Sequence, residues 1–539
     1  MATVDYWADA PLNREQISLF APTLDSMISE DDPVRLFDEI LGNVDWSLWE
    51  GEYHGRKGQP PIHPRHVAAG ILYGLYRRIR SSRQWEQAGH YRIDFMWLLH
   101  GRQIDHSTYS NFRTKFREPL KDLFKQIGRI AMTMGLIRLC EVAFDGTRVK
   151  ANNSRYATRT ADTLAKKLAA LDALFDEMME EVNSAETSAK TQQTLDSHEA
   201  SDDDSPTRLP EALADLQKRR EQIREALEQA QAADEARRKK GTDPTKNPVQ
   251  IPVTDPDSRV MPNKEGGYAP NYTPTATTDG QCGFVVDCDV TADVNESDLA
   301  VPSVDRIQET FGQKPEKFLT DAGNNSGHIM DEMEARDVEF YAPVESTQPQ
   351  EGNPAKREDP TLPVAAPQHS ELPHNDRKQL DKSCFVYDAE NDLYYCPQGH
   401  PMPFEKTKPE QRGEVQVTKR VYRCGVCVGC PLAPNCLSPR NQHGRTITRD
   451  DYEEVRERTA TRMASPEARE LYNQRPHIAE STFGFLKHVL GLRQFLLRGL
   501  EKVQTEWRWA CTSLNLGKLV RALGRLRAEL SELAAATEG

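Results

Sequence analysis

Apolar residues are scarce in this chain. Only 37% of its 539 residues are hydrophobic and 7% are aromatic. No run reaches the 18 apolar residues that a membrane-crossing helix needs, so no transmembrane segment is expected. The opening MATVDYWADAPLNRE has no basic stretch followed by an apolar one. No secretory signal is therefore expected, and the expected location is the cytoplasm. Two motifs are also missing. Without G-x-S-x-G, a nucleophile-elbow hydrolase finds no support, and without G-x-x-x-x-G-K-[ST], ATP dependence is not expected. The length leaves room for several domains, and the low apolar share points to long polar insertions among them.

Positive charge is short overall, with a formal net charge of −14. Its distribution is uneven. Residues 1–50 hold 2 basic and 11 acidic residues, whereas 51–140 hold 16 basic and 6 acidic, and 472–528 hold 10 basic and 3 acidic. Two cationic blocks inside an acidic chain suit a polyanionic partner.

Residues 1–140 read as helices. After Pro64, the positions Val67, Ile71, Leu75 and Ile79 recur at helical spacing, and Ser82 is a cap for the next helix. RIDFMWLLHG ends at Gly101. DHSTYSNFRTKF then places Arg113, Lys115 and Arg117 on a short helix after a tight turn, as in a helix-turn-helix-like DNA reader. EVAFDGTRVK (141–150) reads as a buried strand that opens a new domain. Two leucine-patterned helices within 156–250 suggest an antiparallel hairpin joined by the acidic, disordered tip LDSHEASDDDSPT. Strands return near Tyr268, with a turn at Asp279-Gly280, and PEKFLTDAG, a helix and VEFYAPV follow. Asp257 in TDPDSRV reads as structural. The expected division is a helical domain at 1–140, an α/β core from 141–155, 255–345 and 465–520, insertions at 156–250 and 345–440, and a C-terminal helix or tail at 521–539.

The second insertion carries Cys396, Cys424, Cys427, Cys430 and Cys436, in YYCPQGHPM and YRCGVCVGCPLAPNC. Closely spaced cysteines in a cytosolic chain favour a metal knuckle over disulfides. Structural zinc is the expectation, held by Cys396, Cys424, Cys427 and Cys430 with Cys436 as the substitute. An iron–sulfur cluster is the alternative.

Asp145 and Asp321 each end a short apolar, strand-like run. Glu480 lies in a helical pattern with Tyr472, Arg475 and Lys487. Carboxylates gathered from remote elements can hold two Mg²⁺ (or Mn²⁺) ions for phosphoryl transfer. These segments resemble the bacterial insertion-sequence DDE transposases: FDGT at 144–147, TDAG at 320–323, and a Tyr–Arg–Glu–Lys signature at Tyr472, Arg475, Glu480 and Lys487. Four residues separate Arg475 from Glu480 where the family usually has three, and Asn324 stands where an aromatic residue commonly follows Asp-Ala-Gly. The resemblance implies an α/β fold with a ribonuclease-H-like mixed-sheet core, a helical N-terminal DNA-binding domain, a helical-hairpin insertion and a cysteine-rich insertion. It implies double-stranded DNA as partner (terminal inverted repeats and target), a homodimer in the synaptic complex, and phosphate contact by Lys487. A catalytically silent DNA-binding derivative is the alternative.

Overall fold

The computed structural model describes residues 22–53, 60–154, 157–193, 211–239, 241, 243–246, 248–263, 266–412, 415–438, 441 and 443–538. The first 21 residues and the acidic tip at 195–207 lie outside the described residues. The chain divides into two compact units, residues 1–127 with 508–539, and residues 128–507.

The first unit is helical, with α1 (Pro33–Gly42), α2 (Ser47–Glu50), α3 (Pro64–Tyr76), α4 (Ser82–Tyr91), α5 (Ile93–Leu98) and α6 (His106–Lys115). Helix α7 (Arg117–Thr133) runs across its boundary. The α3 stripe stops before Ile79. Arg78 takes a left-handed backbone (φ 66°), and the Ile79 N–H closes onto the Gly74 carbonyl at 2.7 Å, a Schellman-type end. Ser81, one residue earlier than expected, is the N-cap of α4. Gly70 and Gly74 let α3 approach two rings closely. A Cβ there would stand 2.4 Å from the Tyr109 hydroxyl and 2.3 Å from Trp85 Nε1, respectively. Helix α6 is capped by Asp105, whose carboxylate accepts the Ser107 and Thr108 N–H groups at 2.8 and 2.9 Å.

The second unit is built on a mixed sheet. Its strands are β1 (Glu141–Gly146), β2 (Val149–Lys150), β5 (Arg259–Pro262), β6 (Tyr268–Asp279), β7 (Val285–Thr291), β8 (Lys317–Leu319) and β9 (Glu339–Tyr341). Between β2 and β5 come β3 (Thr158–Arg159), α8 (Ala161–Gln193), α9 (Glu211–Lys239) and β4 (Ile251–Pro252). The order across the middle is β7-β6-β1-β8-β9, antiparallel at the first two junctions and parallel at the last two. This mixed α/β sheet resembles ribonuclease-H-like topology. Residues two apart share a face, so Val142 and Phe144 point to one side of β1 and Ala143 and Asp145 to the other. On the first side Phe144, Phe318 and Phe340 stack, with ring centroids 5.8 and 6.4 Å apart. Burying a ring of this size contributes about 1.5–3 kcal/mol.

Helices α10 (Ala300–Phe311) and α11 (Gly327–Ala335) connect strands of this sheet. Ser303 of α10 hydrogen-bonds Thr277 of β6 at 2.6 Å, and Arg306 grips Asp287 of β7 through two hydrogen bonds of 2.7 and 2.8 Å. Helices α8 and α9 pack as an antiparallel pair. Leu164 clusters with Ile223, Ala226 and Ala230, and farther along Arg220 pairs with Asp172 at 2.5 Å.

Residues 386–450 hold a second sheet within this unit. It is an antiparallel meander of β10 (Val386–Asp388), β11 (Leu393–Tyr395), β12 (Pro401–Arg412), β13 (Val415–Arg423) and β14 (Thr446–Asp450), with the short α12 (Ala433–Cys436) between the last two. Tyr394, Tyr422, Met402, Leu380 and Phe385 form its core, into which Cys396, Cys424 and Cys436 are buried. Helices α13 (Glu453–Ala464), α14 (Pro466–Gly484) and α15 (Leu500–Glu538) complete the chain, with a π-helical turn (Phe485–Val489) following α14. The expected core segment 465–520 is divided at 508, because α15 continues as one helix from the second unit into the first. Asp257 caps the start of α15, accepting the Leu500 N–H at 2.9 Å, while buried Asp255 accepts that of Gly499 at 2.9 Å.

Candidate metal centre

Parallel pairing of β1 with β8 sets Ala143 opposite Leu319. Asp145 and Asp321 each lie two residues beyond that pair, so both carboxylates leave the sheet edge on the same side, next to each other. Ala143 and Leu319 pack against Ile478 and Ala479, which places α14 over this face. A third carboxylate arrives from the loop after β7. Ligand oxygens of Asp145, Glu296 and Asp321 all lie within 4.8 Å of one another, and all three residues are partly buried.

Each side chain has a local reason for its position. Asp145 accepts its neighbour's Gly146 N–H at 2.9 Å and faces Arg475 of α14 at 3.4 Å. Asp321 caps a single 3-10 turn (Ala322–Asn324), accepting the Gly323 N–H at 2.9 Å. Asn324, fully buried, donates from Nδ2 to Asp321 at 3.1 Å and to the Thr320 hydroxyl at 2.9 Å. The amide that replaces an aromatic residue thus holds the second aspartate. Glu296 starts the turn into α10. It lies close against Gly146, where a Cβ would stand 2.8 Å from the Glu296 carboxyl carbon. Burial pushes the Glu296 carboxyl above its ordinary range, and Asp321 and Asp145 push the same way against the opposing pull of Arg148.

Of the residues expected on α14 and just beyond, Arg475 is 9% exposed and turned to Asp145. The helix continues through Pro476. Tyr472 packs against the Ala143–Leu319–Ile478 cluster. Lys487, on the π-helical turn, donates to the Thr147 hydroxyl and, at 2.8 Å, to the Arg148 carbonyl. Glu480 is exposed and lies outside the three-carboxylate group. In the first unit, Arg113 is a core residue, 7% exposed with its guanidinium 5.6 Å from the Trp85 ring centroid. Lys115 is exposed and rests against Tyr53 and Phe116, at 5.6 and 5.0 Å from their ring centroids. Arg117 is partly buried at the start of α7.

Glu296 carried no signal in a strand or helix pattern. The available clue was α10 behind it, whose Ala300, Val304 and Ile307 follow helical spacing up to Gly312 in left-handed conformation (φ 73°).

An all-oxygen set of three carboxylates fits a hard divalent cation such as Mg²⁺ or Mn²⁺. The cysteines fit an ion less directly. Cys396, Cys424, Cys427, Cys430 and Cys436 line one small cavity. Among the described residues, however, no three Cys or His side chains have their ligand atoms within the distance the carboxylates meet. Burial pushes the Cys436 thiol up to about 12, while a hydrogen bond with Cys424 holds the Cys396 thiol below its ordinary range.

No helix among the described residues is long and apolar enough to cross a membrane. No curated protein matches the chain. Two domain families do, each over less than half of it. One described as Transposase DDE domain matches residues 395–520, which include Glu480 and the five cysteines, and one described as Transposase domain (DUF772) matches residues 22–115. Matches to transposase domains near both ends, around a clustered acidic triad, support a transposase-family origin for the chain.

Proposed function

We propose that the protein is a DDE transposase. It cuts DNA at terminal inverted repeats and transfers the freed 3′ ends to target DNA, two copies holding the two ends. The observation that carries this reading is the strand register that sets Asp145 beside Asp321, with Glu296 joining them. Asp145, Asp321 and Glu480 are assigned as the catalytic carboxylates, and Glu296 as a further ligand of the same centre. Bound Mg²⁺ or Mn²⁺ supplies Lewis acidity toward the attacking and departing oxygens of a phosphodiester. The chain's own part is positional. Asn324 and Gly323 orient Asp321, Arg475 orients Asp145, and Lys487 and Tyr472 border the strand that carries Asp145. In the helical unit, Lys115 and Arg117 are assigned to DNA phosphates, where cations position a duplex without reading its bases.

The test is cleavage of a labelled duplex carrying the element's own terminal repeat, with Mg²⁺ or Mn²⁺. The expected result is cutting at the repeat boundary by the wild type and none by Asp321→Ala. Retained repeat binding without cutting by either protein would favour a silent DNA-binding derivative, and equal cutting by both would remove the site assignment.

We also propose structural zinc in the cysteine cavity, held by Cys396, Cys424, Cys427 and Cys430, with Cys436 as the substitute ligand. Lining of one cavity by all five supports this. Ion binding then requires the sulfurs to close around the metal, as a structural site does when it folds a small segment. The purified chain is expected to carry one zinc per molecule by elemental analysis, with a lower unfolding temperature after chelation. A metal-free chain that chelator leaves unchanged would dismiss this centre.

A further inference from the structure

The second unit holds a cavity of about 330 Å³ lined by Arg148, Lys150, Asn263, Asn271, Lys487, His488 and Arg493. Among the described residues its lining is four cations, two amides and an imidazole, with no carboxylate. Its charge is assembled from two remote segments. The Lys150 N–H bonds the Arg493 carbonyl at 3.1 Å, and the Phe495 N–H bonds the Lys150 carbonyl at 2.9 Å, so the backbone itself holds the two cations as neighbours. Arg148 is held by neutral groups, donating to the Thr273 hydroxyl at 2.7 Å and to the Val294 carbonyl. Arg493 donates to His488 Nδ1 at 2.8 Å. Lys150, His488 and Arg493 are exposed.

Like-charged side chains kept together by the backbone repel one another unless an anion joins them. Arg148 ties this cavity to the metal centre, because Val294, its acceptor, is two residues before Glu296, and its charge acts on that carboxyl. A polyanion with one phosphate at the carboxylates would meet the cavity along its own chain. We infer that this cavity is a DNA-backbone subsite, taking the phosphodiesters next to the one that reacts, with Lys150 and Arg493 as its contacting cations. The inference rests on the DNA-cleaving reading above and adds the direction in which the strand leaves the centre.

The test compares wild type with the double variant Lys150→Gln/Arg493→Gln, binding a labelled duplex across a salt series, by fluorescence anisotropy. Each lost phosphate contact lowers the slope of log K against log salt by about 0.9, so the double variant is expected to lose roughly 1.8. Calorimetric Mn²⁺ binding without DNA is expected to stay at the wild-type value, and Lys150→Arg/Arg493→Lys to restore the slope. An unchanged slope with intact wild-type binding overturns the subsite while leaving the transposase reading in place. A wild type without salt-dependent DNA binding overturns both. Saturable binding of inorganic phosphate, lost in the double variant while the DNA slope stays unchanged, overturns the inference in favour of a small-anion pocket.

Discussion

Asp145→Asn and Asp321→Asn are each expected to abolish Mn²⁺ binding and to lower DNA cleavage by about 10³-fold or more, at or above the effect of deleting one preorganised electrostatic group. The side chains keep their size, so the sheet has no steric reason to change. What is lost is charge at a point where the fold concentrates it. Two unit charges 4.8 Å apart repel by about 3.5 kcal/mol at an effective dielectric of 20, and by less here because the groups are partly exposed. A divalent cation reverses the sign of that term.

Glu296 exposes the same balance without any activity measurement. Its folded pKa is raised, so the folded state holds the proton more tightly than the unfolded chain. Stability is therefore lost as pH rises from the ordinary carboxylate value through the raised one. At neutral pH and without metal, Glu296→Gln is expected to unfold at a higher temperature than the wild type, and to bind Mn²⁺ more weakly. Glu480→Gln separates the two glutamates. Glu480 stands outside the cluster, so its loss is expected to remove cleavage but to spare Mn²⁺ affinity measured without DNA. Wild-type ion affinity in Asp145→Asn, Asp321→Asn and Glu296→Gln alike would dismiss the centre.

Asp145 and Asp321 were legible in the sequence because a buried strand advertises itself by an unbroken apolar run, and a carboxylate at its end is conspicuous. That they meet depends on a parallel pairing between residues far apart in the chain, which local patterns do not encode. Glu296 was not legible. It sits in the polar segment DVNESD, and its position follows from the start of α10 and from long-range packing against Gly146. Arg113 shows the opposite failure. Its charge and helical spacing marked it as a surface cation, yet one turn of α6 faces Trp85, and tertiary packing took it inside. The cysteine segment read as a metal knuckle, and Tyr394, Tyr422, Phe385 and Met402 give it an apolar core and a five-stranded sheet as well. Strand β12 gave no alternation to read, since it is exposed along nearly its whole length and buries only Met402.

The division of α15 at 508 leads to the second large effect, in the helical unit. Trp509→Ala is expected to destabilise that unit by about 3–5 kcal/mol, the usual cost of emptying a buried Trp site, against a typical domain stability of about 5–15 kcal/mol. Trp509 is 1% exposed, lies 6.0 Å from Trp49 and 6.3 Å from Phe112 by ring centroids, and donates from Nε1 to the Arg113 carbonyl at 3.1 Å. Four residues on, the Ser513 hydroxyl donates to the Leu72 carbonyl at 2.9 Å. The helix from the end of the chain is therefore part of the core of residues 22–115, the segment matched as a transposase domain. Denaturant unfolding of Trp49→Ala, Trp509→Ala and the double variant forms a cycle. A coupling of about 0.5–1.5 kcal/mol is expected for rings in this contact, with Trp509→Phe recovering much of the loss. A cost below about 1 kcal/mol for Trp509→Ala, the level of a surface change, would show that the C-terminal helix does not build this core. A large cost carries a functional consequence. Any truncation that removes α15 beyond residue 507 then unfolds the candidate DNA-reading helices while leaving Asp145, Glu296 and Asp321 in the chain, so DNA binding would fail first.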